Sequence, residues 1–198
     1  MAASVLMVAV APLVACAAPL TPAVHASELA PIPPTPSASP SPSAEQTPTP
    51  IWPPQMALPT PPPEMSRADE AGAIAAATYF MTALYTYTET TQDTAPWRAV
   101  SHADCVFCAS ILKDIAGQQS DGQFTVVAPI RIGRLSSQAL NPAAFSITMD
   151  ITTGPDEDFA TSGESLGRTT EDSGTATVIV VRQGATWLTR GVDLARRS

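Results

Sequence analysis

Proline decides how much of this chain can fold. Of its 21 prolines, all but Pro96, Pro129, Pro142 and Pro155 lie at or before Pro63, spaced every few residues among Ser, Thr and Ala. Proline has no amide N–H and a fixed φ, so neither a helix nor a central strand runs through such a stretch. The stretch is also poor in residues able to build a core. Such a composition stays unfolded and favours the extended polyproline conformation, at about 3.1 Å per residue. What remains of the 198 residues is a single domain of moderate size, 66–198, able to bury one core. Residues 16–65 are read as a Pro/Ser/Thr-rich tether, with Ile51-Trp52-Pro53-Pro54 its one apolar spot, expected to lie on the chain's own domain.

Charge follows the same division. Residues 1–63 contain no Lys or Arg, and the formal net charge is −8. Nucleic acid and anionic lipid are both bound electrostatically by clustered cations, and an acidic chain offers none. No nucleic-acid partner is expected. The apolar run from Met1 to Ala15 is too short for a membrane-spanning helix, which needs about 20 residues, and has the length of a signal-peptide core. It closes on Leu13-Val14-Ala15-Cys16, which resembles the bacterial lipobox. That resemblance implies cleavage before Cys16, acylation of Cys16, and a lipid anchor on the outer face of the cell membrane. Val24-His25-Ala26 is an alternative cleavage site that would discard Cys16 and leave a secreted protein.

In the domain, helices precede strands. Ser66, with Asp69 three residues on, is the expected N-cap of a long helix. Ala73, Ala77, Phe80, Leu84 and Tyr87 form its apolar stripe at alternating spacings of four and three. Thr90 to Ala95 reads as a turn, Pro96 begins a short second helix, and Asp104 caps a third that ends at Gly117. The period then changes to two. Phe124, Val126, Ile130 and Ile132 share one face, with Pro129 marking a bulge or an edge, and Phe145, Ile147, Met149 and Ile151 alternate with polar residues. Asp156 to Gly174 reads as a long polar loop, and 176–182 pairs with 186–192 as a hairpin. This order predicts an α+β fold, with an antiparallel sheet covering the first helix.

The run from Ala77 through Cys105 and Cys108 to Ile111 resembles a family of actinobacterial lipoproteins of unknown function. Its members join a lipobox, a proline-rich tether, and a domain with an aromatic first helix and a C-x-x-C. The turn after the helix, often Gly-Asp-Thr there, is Gln92-Asp93-Thr94 here. The resemblance implies the nuclear transport factor 2-like (SnoaL-like, ketosteroid-isomerase-like) cone, in which a curved sheet wraps a long helix around a pocket. It supplies no activity. Tyr79, Tyr85, Asp93 and Trp97 are the candidate lining of such a pocket, although aromatics at helical spacing are usually core.

Three chemistries compete for Cys105-Val106-Phe107-Cys108. In an exported chain the compartment is oxidising, and an i, i+3 pair at a helix start approaches disulfide distance. A redox centre would sit after a strand in a βαβ unit, and no strand precedes this motif. A metal site would have His102, Cys105 and Cys108 but no fourth ligand. The disulfide Cys105–Cys108 is the expected state, with no metal and no cofactor. Gly163-Glu164-Ser165-Leu166-Gly167 matches the nucleophile elbow, but its flanks are polar and both histidines precede the serine. The leading expectation is therefore a non-enzymatic domain binding a protein, a wall component or a small molecule from a membrane-anchored tether. The alternatives are a small-molecule enzyme or carrier of the SnoaL-like kind, and a thiol oxidoreductase.

Overall fold

The computed structural model describes residues 53–196. The apolar N-terminal run, Cys16 and the chain through Trp52 lie outside the described residues. After a 3-10 turn at Pro63–Ser66 the chain enters one long helical rod in three pieces. These are α1 (Glu70–Tyr79), a single π turn (Phe80–Leu84) and α2 (Tyr85–Thr91). Asp69, rather than Ser66, is the N-cap, and its carboxylate accepts the amide of Gly72 at 3.2 Å. Ser66 donates instead to the Pro63 carbonyl within the preceding turn, at 2.8 Å. Gly72 is needed where it stands, because a Cβ there would collide with the Arg67 carbonyl that crosses it.

Two shorter helices follow, α3 (Ala95–Val100) and α4 (Val106–Asp121). The cap of α4 is Cys105, one residue beyond the expected Asp104, and its sulfur accepts the Cys108 amide. The helix runs past Gly117. A glycine inside a helix costs only about 1 kcal/mol, and the next turn is held by Gln118, which donates to Thr125 Oγ1 at 3.1 Å. Termination waits for Gly122 at φ 66°, in the left-handed region that glycine enters freely.

Among the described residues, seven strands form two antiparallel sheets. In the larger, β2 (Arg131–Asn141), β3 (Ala144–Thr153), β6 (Asp172–Gln183) and β7 (Thr186–Arg196) lie in the order β2-β3-β6-β7. In the smaller, β4 (Glu157–Ala160) stands between β1 (Gln123–Val126) and β5 (Ser165–Arg168). The sequence reading differed here twice. The Phe124–Ile132 stretch is divided between sheets, because the chain leaves β1 before Pro129 and re-enters pairing only at Arg131. The expected loop 156–174 contains β4, β5 and the start of β6. Its polarity reflects strands with solvent-facing sides, and they are anchored by Phe159, stacked on Phe124 at 5.4 Å.

The core lies between the helical rod and the larger sheet. Phe145, Ile147 and Met149 of β3 oppose Val180, Val178 and Ala176 of β6, all buried on one face as their alternation required. Against this face α1 sets the small side chains Ala73, Ala76 and Ala77, which admit the sheet closely, followed by Phe80, Met81 and Leu84. Trp97 is fully buried and stacks on Phe80, with ring centroids 4.1 Å apart. Each large apolar side chain so buried contributes about 1.5–3 kcal/mol. The protein is an α+β fold of the cone type, with helices packed on antiparallel sheet.

Candidate functional site

The C-x-x-C lies at the joint between the helices and β7. Cys105 and Cys108 are joined by a disulfide and are 2% and 1% exposed. Around them the indole N–H of Trp97 donates to the Cys108 carbonyl (3.2 Å), and the His102 amide donates to the Thr189 carbonyl (2.9 Å). The disulfide thus closes the first turn of α4, and the His102–Thr189 hydrogen bond ties that turn to the last strand. The His102 ring faces elsewhere and accepts the Asp104 amide at 3.1 Å. Among the described residues no three His, Cys, Asp or Glu side chains converge closely enough to hold a metal ion.

The four residues named for a pocket go to different places. Tyr79 is buried, and its hydroxyl donates to the Pro59 carbonyl at 2.9 Å, so it anchors the N-terminal segment. Trp97 is core. Asp93 is exposed in the turn after α2, where it accepts the Tyr87 hydroxyl at 2.8 Å and the Ala95 amide at 3.1 Å. Tyr85 alone lies where carboxylates gather. Burial pushes its hydroxyl far above the usual range, and the charges of Glu89, Asp156 and Asp114 push in the same direction.

Glu89 was not anticipated. One helical turn beyond Tyr85 on α2, it is only 6% exposed. Its carboxyl is raised from the ordinary 4.5 to about 7, chiefly by burial and then by the charges of Asp114 and Asp156. Asp114 is on α4, and Asp156 precedes β4. Asp156 is itself raised by burial, against the lowering effect of the Ala128 amide, which donates to it at 2.8 Å. It also lines an open polar basin of about 470 Å³ with Thr153, Thr169, Glu171, Asp172 and Arg196. No described side chain or amide donates a hydrogen bond to the Glu89 carboxylate. The available sequence signal was the i, i+4 spacing of Tyr85 and Glu89, which places both on one helical face.

Ser165, the serine of the G-x-S-x-G, is exposed on β5 and donates to Glu157 across the hairpin at 2.7 Å. That is a surface cross-strand contact, not a strained turn between strand and helix.

Solved structures share the fold at low identity. The intermembrane-space region of the chloroplast protein ARC6 matches with a TM-score of 0.50 at 9% identity, over 66% of this chain and 99% of that one. A scytalone dehydratase-like protein from Novosphingobium aromaticivorans matches at 0.46 and 12%, over 64% of this chain and 85% of that one. ActVI-ORFA from Streptomyces coelicolor matches at 0.43 and 10%, over 63% and 95%. No curated protein matches the sequence. The model of DUF6318, a family of unknown function, matches residues 37–193, and the chain belongs to that family.

Proposed function

We propose that the chain is an exported lipoprotein, anchored through Cys16 on the outer face of the cell membrane, whose folded domain is a non-enzymatic binding module on a proline-rich tether. The observation that carries this reading is the buried disulfide. Such bonds persist in oxidising compartments and not in a reducing cytosol. A pair only 2% and 1% exposed is also shielded from thiol exchange, which argues for a staple over an oxidoreductase. The lipobox-like Leu13-Val14-Ala15-Cys16 and the tether that follows it support the same compartment. The test is the intact mass of the membrane-extracted protein, alkylated without reduction. A start at Cys16 with added lipid and no alkylation is expected. A start at Ser27 without lipid would make it a secreted protein, and alkylation at Cys105 or Cys108 would overturn the staple.

A second reading, a small-molecule enzyme or carrier, draws on the buried Glu89 beside Tyr85. A native mass spectrum showing a retained small molecule in the wild type and none in Glu89→Gln would favour it.

A further inference from the structure

We propose that the Trp52 indole fills an apolar groove beside the helical rod and straps the proline-rich segment to the domain. This goes beyond the anchor reading and does not depend on it. The first ground is the groove itself, an open hollow of about 330 Å³. It is lined by Met56 and Pro59 of the N-terminal segment, Ala83 and Tyr87 of the rod, and Pro129 and Ile130 ahead of β2. Met56 is 45% exposed, and Ala83 and Pro129 are exposed as well. Apolar surface left open to water favours whatever side chain covers it.

The second ground is the course of the chain. Pro59 is fixed to the rod, its carbonyl accepting the Tyr79 hydroxyl at 2.9 Å. Residues 55–58 are exposed, and the chain is half-buried again at Pro53 and Pro54. It bends at Pro53, where the Gln55 side-chain amide returns to the Pro53 carbonyl at 3.4 Å. Trp52 is the next residue back from that bend. The chain from Trp52 to Met56, which lines the groove, spans at most about 12 Å in the polyproline conformation.

The third ground selects the occupant. Trp52 is the only aromatic residue before Tyr79. An indole offers a large flat apolar body to the Tyr87 ring and the prolines, and one N–H that needs an acceptor when it is covered. Thr82, which also lines the groove, supplies one, because its hydroxyl donates to the Thr78 carbonyl at 2.7 Å and keeps its lone pairs free to accept. A side chain on so short a leash has an effective concentration on the order of millimolar or more. A separate peptide or small molecule would have to outcompete it, which favours the chain's own indole.

The test is fluorine NMR of the full chain made with fluorotryptophan, in which Trp52, Trp97 and Trp187 each give a resonance and Trp52→Phe assigns the first. Trp97 and Trp187, 0% and 2% exposed, serve as buried references. The readout is the shift on exchanging light for heavy water, which follows solvent contact at the ring. At Trp52 it should be about a tenth of that of free fluorotryptophan, as a roughly tenfold preference for the docked state requires. Ala83→Glu and, independently, Ile130→Asp place a charge in the groove and should restore the full shift at Trp52. Unmoved Trp97 and Trp187 resonances would show that the fold is kept. The protection should not change with protein concentration. A full solvent shift at Trp52 in the wild type, protection that both groove variants leave intact, or protection lost on dilution (the indole of a second copy in the groove) would each overturn the proposal. None of these outcomes touches the anchor and disulfide, which the intact mass tests separately.

Discussion

Glu89 shows how one residue's surroundings become a property of the whole protein. Its folded value, about 7, lies above the ordinary 4.5. Between those two values the native state keeps a proton that the unfolded chain has released. Unfolding therefore releases a proton, and stability falls as pH rises from about 4.5 to about 7, then levels off. The full shift corresponds to about 3 kcal/mol, and solvent contact at the carboxylate reduces this to about 2 kcal/mol. Asp156 is shifted in the same direction and adds to the slope. Glu89→Gln should flatten the profile across this window and exceed the wild type at pH 8 by about 2 kcal/mol. Urea unfolding at pH 5, 6, 7 and 8 measures it, and parallel profiles for the two proteins would refute it. The sequence could mark Glu89 as a partner of Tyr85 on a helix face. It could not mark it as buried, because the groups that surround it are 25 and 67 positions away along the chain, at Asp114 and Asp156.

Among the elements, the ends of the helices carry most of what was misread and most of what can be tested. The caps at Asp69 and Cys105 fall within three residues of those expected, and Gly122 replaces Gly117 as a stop. Local signals propose several candidates, and side-chain hydrogen bonds choose among them. The π turn left no such signal: its extra residue rotates everything after it by about 100° relative to an unbroken α-helix. The end of α2 is more informative. Gln92 stands at φ 58°, in the left-handed region, where the family resembled by this sequence often has glycine. A non-glycine residue pays about 1 kcal/mol or more for that conformation. Gln92 is held there by its amide, which donates to the Gln123 carbonyl at 2.8 Å and to Gln118 at 3.3 Å. Gln92→Ala keeps the strain and loses these bonds, so it should cost about 1 kcal/mol. Gln92→Gly loses the same bonds but relieves the strain, and should be about 1 kcal/mol more stable than the alanine variant. Equal unfolding midpoints for the two variants would remove strain from the explanation.

At the scale of the whole molecule, the folded body extends N-terminally of the boundary expected at Ser66. The segment through Arg67 is sewn to the sheet by one side chain, Arg182 of β6. Its guanidinium donates to the carbonyls of Met65 (3.2 Å), Ser66 (3.2 Å) and Arg67 (3.0 Å), with the Trp187 ring 5.3 Å away. Trp187 adds its own N–H to the Arg67 carbonyl at 2.9 Å. Removing this fork in Arg182→Ala should cost about 2 kcal/mol. It should also open a protease site before Asp69 at denaturant concentrations where the sheet still holds. Arg182→Lys should rescue little, since a point charge cannot span three carbonyls. An unchanged cleavage pattern would show that the seam is held by other contacts. The succession of helices and then strands, and the inward faces of β3 and β6, were determined by sequence alone. Each rests on backbone chemistry or on a period of 3.6 or 2 that neighbouring residues display by themselves. The separation of β1 from β2, the pairing of polar β4 and β5, the reach of Arg182 and the burial of Glu89 were decided only in the tertiary structure. A residue's burial, and the sign of the charge it meets, are set by whatever folds against it. In this protein those groups come from distant parts of the chain.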